Sequence, residues 1–426
     1  MSADEFSFSL VGQKLGGPSG ITTLMADLGQ ALTTDPGMRM LGGGNPAHIP
    51  AMLTLWREQM ATLLAEGAAY DRMLANYDGP QGSPAFLAAL AGFLQRECGW
   101  EVTPENLAVT AGGQSAFFYL FNLLAGPHAD GSHRKILLPL IPEYIGYENQ
   151  GLGPDWFVAC PPRLEMTREH RFKYRVDFPA VAAALQRGNI AALCVSRPTN
   201  PTGNVLTDGE ISQLSQLAAA HGIPLLIDNA YGLPFPGAIF VPARPHWDGQ
   251  TILTLSLSKL GLPGTRTGIV VAPPSIIRAL AAMTSVVGLA NTNLGQALVR
   301  PLLEDGSLAR WSQETIRPFY AERSQQAQTW FHAAAAGRFP YAIHESEGAF
   351  FLWLWFPELP ITSQELYETL KARQVLVVPG ESFFFGLSAD HPPWPHRHQC
   401  LRVTFCQSPE IVREGLEMIA DTVAEL

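Results

Sequence analysis

The stretch Ser256-Leu-Ser-Lys259-Leu-Gly-Leu-Pro-Gly264-Thr-Arg266-Thr-Gly268 decides how this chain is read. It follows Thr251-Ile-Leu-Thr-Leu255, an apolar, β-branched run of the length of a buried strand. A lysine that leaves such a strand into a glycine-rich loop is held in place and partly desolvated. Desolvation favours its neutral amine, the form that attacks a carbonyl and makes a Schiff base. Ser256 and Ser258 are two apart and share a face while the strand continues. Arg266 adds a planar fork suited to a phosphate. Together these groups describe a site for a phosphorylated aldehyde such as pyridoxal phosphate. The same residues would equally suit a surface lysine in a polar turn, so the reading depends on partners elsewhere.

Those partners are sought at the ends of other strands. Leu107-Ala-Val-Thr110 reads as a strand, and Ala111-Gly-Gly113-Gln114-Ser115 leads from it into an apolar helix beginning at Ala116. Strand, glycines and helix start together make an anion cup, since open N–H groups and the positive dipole end face one way. Neither GxxxxGK[ST] nor GxGxxG is present. The strand Ile136–Leu140 runs into Ile141-Pro-Glu-Tyr144, where the aromatic could stack on a flat ring or fill the core. Ile190–Ser196 is followed by the turn Arg197-Pro-Thr-Asn200-Pro-Thr-Gly-Asn204, and Thr207 with Glu210 makes a capping box for the next helix. Pro224-Leu-Leu-Ile-Asp228 ends in a carboxylate, with Asn229-Ala-Tyr231 behind it. An ionised aspartate there is costly unless a cation pairs with it. Strands and helices alternate from about residue 105 to 300, which predicts an α/β fold with a mostly parallel sheet. Gly113, Tyr144, Asn200, Asp228 and Lys259 all fall just after strands, where ligands of open α/β sheets bind.

Beyond Pro301 the pattern changes. A long helical stretch from Ser307 to Ala336 precedes strands near Ile343 and at Ala349–Phe356, a helix from Ser363 to Arg373, strands at Val375–Val378 and Leu401–Phe405, and a last helix after Ser408-Pro409. This predicts a smaller α+β domain made of residues 302–426 with 1–50, beside a large domain of residues 51–301. In the first part, Ile21 to Leu32 and Pro50 to Gly67 read as helices, and Leu41-Gly-Gly-Gly44 allows close backbone approach or a plain turn. Tyr77, in a Gly/Pro turn, reads from its surroundings as a packing anchor.

The bulk composition narrows the classes. The 426 residues carry a formal net charge of −10, which argues against nucleic acid and basic membrane-surface partners. Five cysteines without a CxxC pair suit reduced thiols in the cytoplasm. Met1 to Leu15 includes Asp4 and Glu5 and has no apolar h-region, so no signal peptide is expected. No uncharged apolar window of about 18 residues exists, so no ordinary membrane span is expected. His391, His396, His398 and Cys400 lie among prolines and lack a second ligand pair at zinc-finger spacing, so no metal is expected.

Taken together the motifs resemble the fold-type-I, pyridoxal-phosphate-dependent aminotransferases of class I/II. The matches are Asn200-Pro-Thr-Gly203, Asp228-Asn-Ala-Tyr231, Ser256-x-Ser-Lys259, Arg266-x-Gly268 and Leu401-Arg402-Val, in the family's order. Further matches run nearly end to end: Gly42-Gly-Gly-Asn-Pro46, Asn76-Tyr-Asp-Gly-Pro-Gln-Gly82, Gln114–Asn122, Pro142-Glu-Tyr-Ile-Gly-Tyr147, Ser196–Asn204 and Trp394-Pro-His396. They are similar to members that exchange an amino group between a small aliphatic amino acid and a 2-oxo acid. The resemblance implies a mostly parallel central sheet with helices on both faces. It also implies that Lys259 carries the cofactor as a Schiff base and then moves the proton at the substrate Cα, while Asp228 pairs with the ring nitrogen. Tyr231 and Asn200 would bond the ring oxygen, and Tyr144 would stack on the ring. Gly113, Gln114, Ser256, Ser258 and Arg266 would hold the phosphate, and Arg402 the substrate carboxylate. Tyr77 would reach the phosphate of a second subunit, which implies a homodimer with shared sites. Ile21 and Gly44 are candidates for the substrate's side-chain end. Arg266 follows Lys259 by one residue fewer than is usual in the superfamily, so a tighter loop is expected here.

Two other chemistries remain open at this point. A C–S β-lyase would keep the same cofactor site, and product analysis separates it from a transaminase. A regulator with an idle aminotransferase-like domain would need an added DNA-binding module, for which both the short N-terminal segment and the charge are wrong.

Overall fold

In a computed structural model the chain is described over residues 6–34, 37–388 and 391–426. Asp4 and Glu5 lie outside the described residues. An eight-stranded sheet forms the centre. Its order runs Leu107–Thr110, Gly268–Val271, Ile252–Ser256, Leu225–Asp228, Ile190–Ser196, His133–Leu138 and Gly126–Pro127, with Phe157–Ala159 also on His133–Leu138. The inner pairs, from Phe157–Ala159 across to Ile252–Ser256, are parallel. Gly268–Val271 runs antiparallel to both neighbours, because the tight loop after Ser256 turns the chain straight back. Strands such as Ile190–Ser196 are buried along their whole length, as both faces are covered by helices.

A second sheet of six strands carries most of the C-terminal part. Its order is Val378–Pro379, Cys400–Thr404, Phe351–Trp355, Ala342–His344, Arg171–Arg175 and Arg163–Arg168. The last two strands form a hairpin that lies inside the 51–301 range, yet Arg171–Arg175 pairs in parallel with Ala342–His344. A division at residue 301 therefore cuts across this sheet. A buried network pins the hairpin: Trp353 Nε1 donates to the Tyr174 hydroxyl at 2.9 Å, and that hydroxyl meets His396 Nε2 at 2.5 Å. Lys173 pairs with Glu347 in the same seam.

The helix of Ser307–Trp311 continues through a π turn into Arg317–Ala335 and packs on the last helix, Pro409–Ala424. The N-terminal helix Gly20–Thr34 lies against the Ile145–Tyr147 turn and is tied to Ser363–Ala372 by the Asp27–Lys371 pair at 2.8 Å. Among the described residues no helix is long and apolar enough to cross a membrane.

Candidate active site

The parallel strands deliver their carboxyl ends to one place. The register sets Asp228 opposite Ser196 on one side and Thr254 on the other, while Ser256 faces Gly268, which in turn faces Thr110. Asp228 is the last residue of its strand. Its Oδ1 accepts from the Ala230 N–H at 3.0 Å and from the Thr254 hydroxyl at 3.4 Å, and its Oδ2 accepts from the Tyr147 hydroxyl at 2.5 Å. Burial pushes its acidity down, against the pull of these donors and of the Lys259 charge. It forms no ion pair with any described residue. A buried carboxylate that makes no ion pair is a place for a cationic partner from outside.

Lys259 stands in the short turn Ser258–Leu260, and its Nζ donates to the Gly44 carbonyl at 2.7 Å. Its pKa is lowered to about 8, chiefly by burial, with Cys406 and Asp228 pulling it up and Arg402 and Arg266 pushing it down. The neutral amine is therefore far more populated near physiological pH than in an ordinary lysine, though still the minor form. It lies 5.1 Å from the centre of the Tyr231 ring. Tyr231 is itself buried, edge-on to Phe350, and burial raises its pKa.

Arg402 comes from the other sheet, yet it enters the same space. Its Nη1 donates to Asn200 Oδ1 at 2.8 Å and its Nη2 to the Gly42 carbonyl at 2.6 Å, while the guanidinium lies 4.3 Å over the Phe351 ring. The residue is only 2% exposed, its Nε has no partner, and neither oxygen it holds is charged. Burial drops its pKa to about 10. A guanidinium with neutral partners and an orphaned N–H is fitted to a carboxylate that the chain does not supply.

At the other end the helix Gly113–Leu124 opens on Gly112, which has no side chain to cap it and adopts φ 87°. A Cβ on Gly112 would lie 2.2 Å from Arg266 Nη2, so only glycine lets the guanidinium sit against the helix start. Arg266 has φ 48° and makes only long contacts, 3.4 Å to the Ala111 carbonyl and 3.5 Å to that of Pro263. The shorter loop thus still brings Arg266 to the anion cup. Gln114 bonds Gly146 through its side chain at 3.0 Å, which leaves its backbone N–H as the group on offer. Ser256 Oγ accepts from the Ser258 N–H at 3.2 Å. Tyr144 senses the charges of Arg402, Asp228 and Arg266, so it lies among them. Open amides, hydroxyls, a guanidinium, a depressed lysine and an unpaired aspartate fit pyridoxal phosphate in their donor chemistry.

Tyr77 is 83% exposed on the surface, and Ile21 lies in the Gly20–Thr34 helix, beside the Ile145–Tyr147 turn. His391, His396 and His398 take separate partners, in Pro392, Tyr174 and Glu381. Among the described residues no cluster of three or more His, Cys, Asp or Glu could hold a metal. Three site residues escaped the sequence reading. Tyr147 is bonded to Asp228. Glu143 is buried, with its pKa pushed up to about 8, and accepts from the Ser196 N–H and hydroxyl. The Cys406 thiol, raised to about 11 by burial, interacts with Lys259. Only the position of Glu143 and Tyr147 just past a strand end could have pointed to them.

Comparison with known proteins places this arrangement. Residues 163–419 match the family "aminotransferase class I and II". The chain is 49% identical over 98% of both lengths to the valine–pyruvate aminotransferase of Escherichia coli K12. The crystal structure of valine–pyruvate aminotransferase from Salmonella typhimurium LT2 aligns with a TM-score of 0.85 and 46% identity, over 95% of this chain and 98% of that one. A Psychrobacter arcticum structure, provisionally described as an amino-acid aminotransferase, aligns at 0.96 with 45% identity over 99% of each chain.

Proposed function

The chain belongs to the class I and II aminotransferases, and from that membership we propose that it moves an amino group between L-valine and pyruvate, giving 2-oxoisovalerate and L-alanine. The family is pyridoxal-phosphate-dependent. The observation that carries the proposal is Arg402, a buried guanidinium without a carboxylate, whose charge acts on the Lys259 amine. An α-amino acid brings a carboxylate to the one and an α-carbon to the other.

When bound, the cofactor supplies a carbonyl for the amino group and a ring that draws electrons from the breaking bond. Lys259, with its lowered pKa, holds the cofactor and then takes and returns the proton at the substrate Cα. Asp228 would pair with the ring nitrogen and keep a proton there. Tyr231 and Asn200 would serve the ring oxygen as bonding partners, and Tyr144 would offer its aromatic ring to the cofactor's. The N–H groups of Gly113 and Gln114, with Ser256, Ser258 and Arg266, hold the phosphate. Arg402 grips the substrate carboxylate in a two-pronged pair, oriented by Asn200 and the Gly42 carbonyl. Ile21 and Gly44 border the side-chain end. Tyr77, exposed on this chain, completes the phosphate site of a second copy, so the working form is a homodimer with shared sites, and its free cysteines suit the cytoplasm.

The test is a half-reaction. The holoenzyme is mixed with L-valine and no acceptor, and the absorption band of the lysine-bound cofactor is followed. Loss of the band, restored by pyruvate, supports the proposal. A band that alanine discharges but valine leaves unchanged refutes the valine assignment and keeps the transaminase.

A further inference from the structure

Tyr147 has no task in the reaction just described, yet it makes a 2.5 Å bond to Asp228 Oδ2. Its ring is fully buried, 4.7 Å from Phe117, 5.3 Å from Phe121 and 5.2 Å from Tyr144. The hydroxyl therefore cannot swing to another acceptor. The turn that carries it is fixed from beneath: Glu143 accepts from the Ser196 N–H at 2.7 Å, from the Ser196 hydroxyl at 2.5 Å and from the Tyr144 N–H at 3.2 Å. Ser196 is the register partner of Asp228, so one strand end locates both the carboxylate and its donor.

We propose that Tyr147 is a positioning residue: its hydroxyl holds the Asp228 carboxylate ionised and aimed, so that the proton shared with the cofactor's ring nitrogen rests on the nitrogen. This rests on the reading of Asp228 given above. A hydrogen bond to the charged form of a carboxylate lowers its proton affinity, and a site closed to water strengthens the effect. Oδ1 is already taken by Ala230 and Thr254, so Tyr147 is the donor on the other oxygen. The titratable and charged groups that act on the pair are Glu143, Cys194 and Lys259, with Tyr144 and Tyr231 feeling the same carboxylate. A tyrosine that served only to fill the core would add stability without moving that proton.

The experiment loads wild type, Tyr147→Phe and Thr254→Val with pyridoxal phosphate carrying an NMR-visible nitrogen isotope in its ring. The nitrogen resonance then reports the proton directly, through the neutral pH range. Wild type is expected at the protonated position. Tyr147→Phe, which keeps the ring and its packing, moves toward the unprotonated position and loses about ten-fold or more in kcat. Thr254→Val, losing only the longer donor, moves less. A resonance and kcat unchanged in Tyr147→Phe, or an equal movement in Thr254→Val, overturns the role of Tyr147. An unprotonated nitrogen in wild type overturns instead the reading of Asp228 beneath it.

Discussion

Arg402 and Lys259 carry most of what single side chains can be asked. Replacing Arg402 by lysine keeps the charge but loses the planar fork that Asn200 and Gly42 orient. A cost of about 2 kcal/mol, near thirty-fold in kcat/KM for valine, is expected from steady-state kinetics. Most of it should appear in KM, since the carboxylate is held before and during the chemistry. Lys259 makes a different prediction, about pH. Its folded pKa of about 8 lies below the ordinary lysine value. Only the neutral amine attacks the cofactor's carbonyl. The rate at which apoenzyme captures pyridoxal phosphate should thus climb about ten-fold per pH unit up to that pKa and level off above it. Stopped-flow absorbance checks it, and a rate that falls as pH rises through that range contradicts the assignment.

Elements decide where these side chains can stand. The start of the Gly113–Leu124 helix meets the Gly268 strand so closely that a Cβ on Gly268 would lie 2.5 Å from the Gly112 carbonyl carbon and 2.7 Å from the Gly113 nitrogen. Gly268→Ala should push the open amides out of line, at about 1–3 kcal/mol in stability, and weaken cofactor binding about ten-fold in fluorescence titration. Thr207→Ala is the contrast. It breaks the Thr207–Glu210 capping box, far from the anion cup in role, and should cost about 1 kcal/mol while leaving cofactor affinity alone. Sequence reading placed the strands of Leu107–Thr110 and Ile190–Ser196 correctly, because four to seven apolar residues between turn signals leave few alternatives. It missed the 163–175 hairpin, whose first strand, Arg-Leu-Glu-Met-Thr-Arg168, is exposed along its length and offers no buried face to recognise. Lys259 and Asp228 were legible as charges at buried strand ends, where a charge is expensive, whereas Arg402 was singled out only by the family resemblance. Tyr147 and Glu143 were not, since an aromatic and a carboxylate in a Pro/Gly loop read as packing and as surface until a partner is seen.

For the molecule as a whole, buried titratable groups set the pH range of stability. His344 and His396 are held neutral in the seam between the hairpin and the C-terminal sheet, each with its pKa lowered to about 3 by burial. Their unfolded values lie near 6.5, so below that pH the unfolded chain binds protons that the folded chain refuses. Stability is intact above 6.5 and is lost as pH falls toward 3, by about 2 kcal/mol per histidine already at pH 5. Glu143 works the opposite way. Its raised pKa of about 8 favours the folded state below the usual glutamate value, and that contribution is lost as pH rises through 8. Urea unfolding across pH should show a dome, and His396→Gln should flatten its acid limb. A limb unchanged in that variant contradicts the account.

The grip on Arg402 spans the chain from end to end in time as well as in space. Its acceptors lie 360 residues earlier, at Gly42, and 202 residues earlier, at Asn200. At about 5–20 residues per second, some ten to forty seconds of translation separate Asn200 from its cation. During that interval the nascent chain gains Asp228 and then Lys259, but not the cation that is to take the carboxylate. Amino-acid recognition is therefore the last function a newly made molecule acquires.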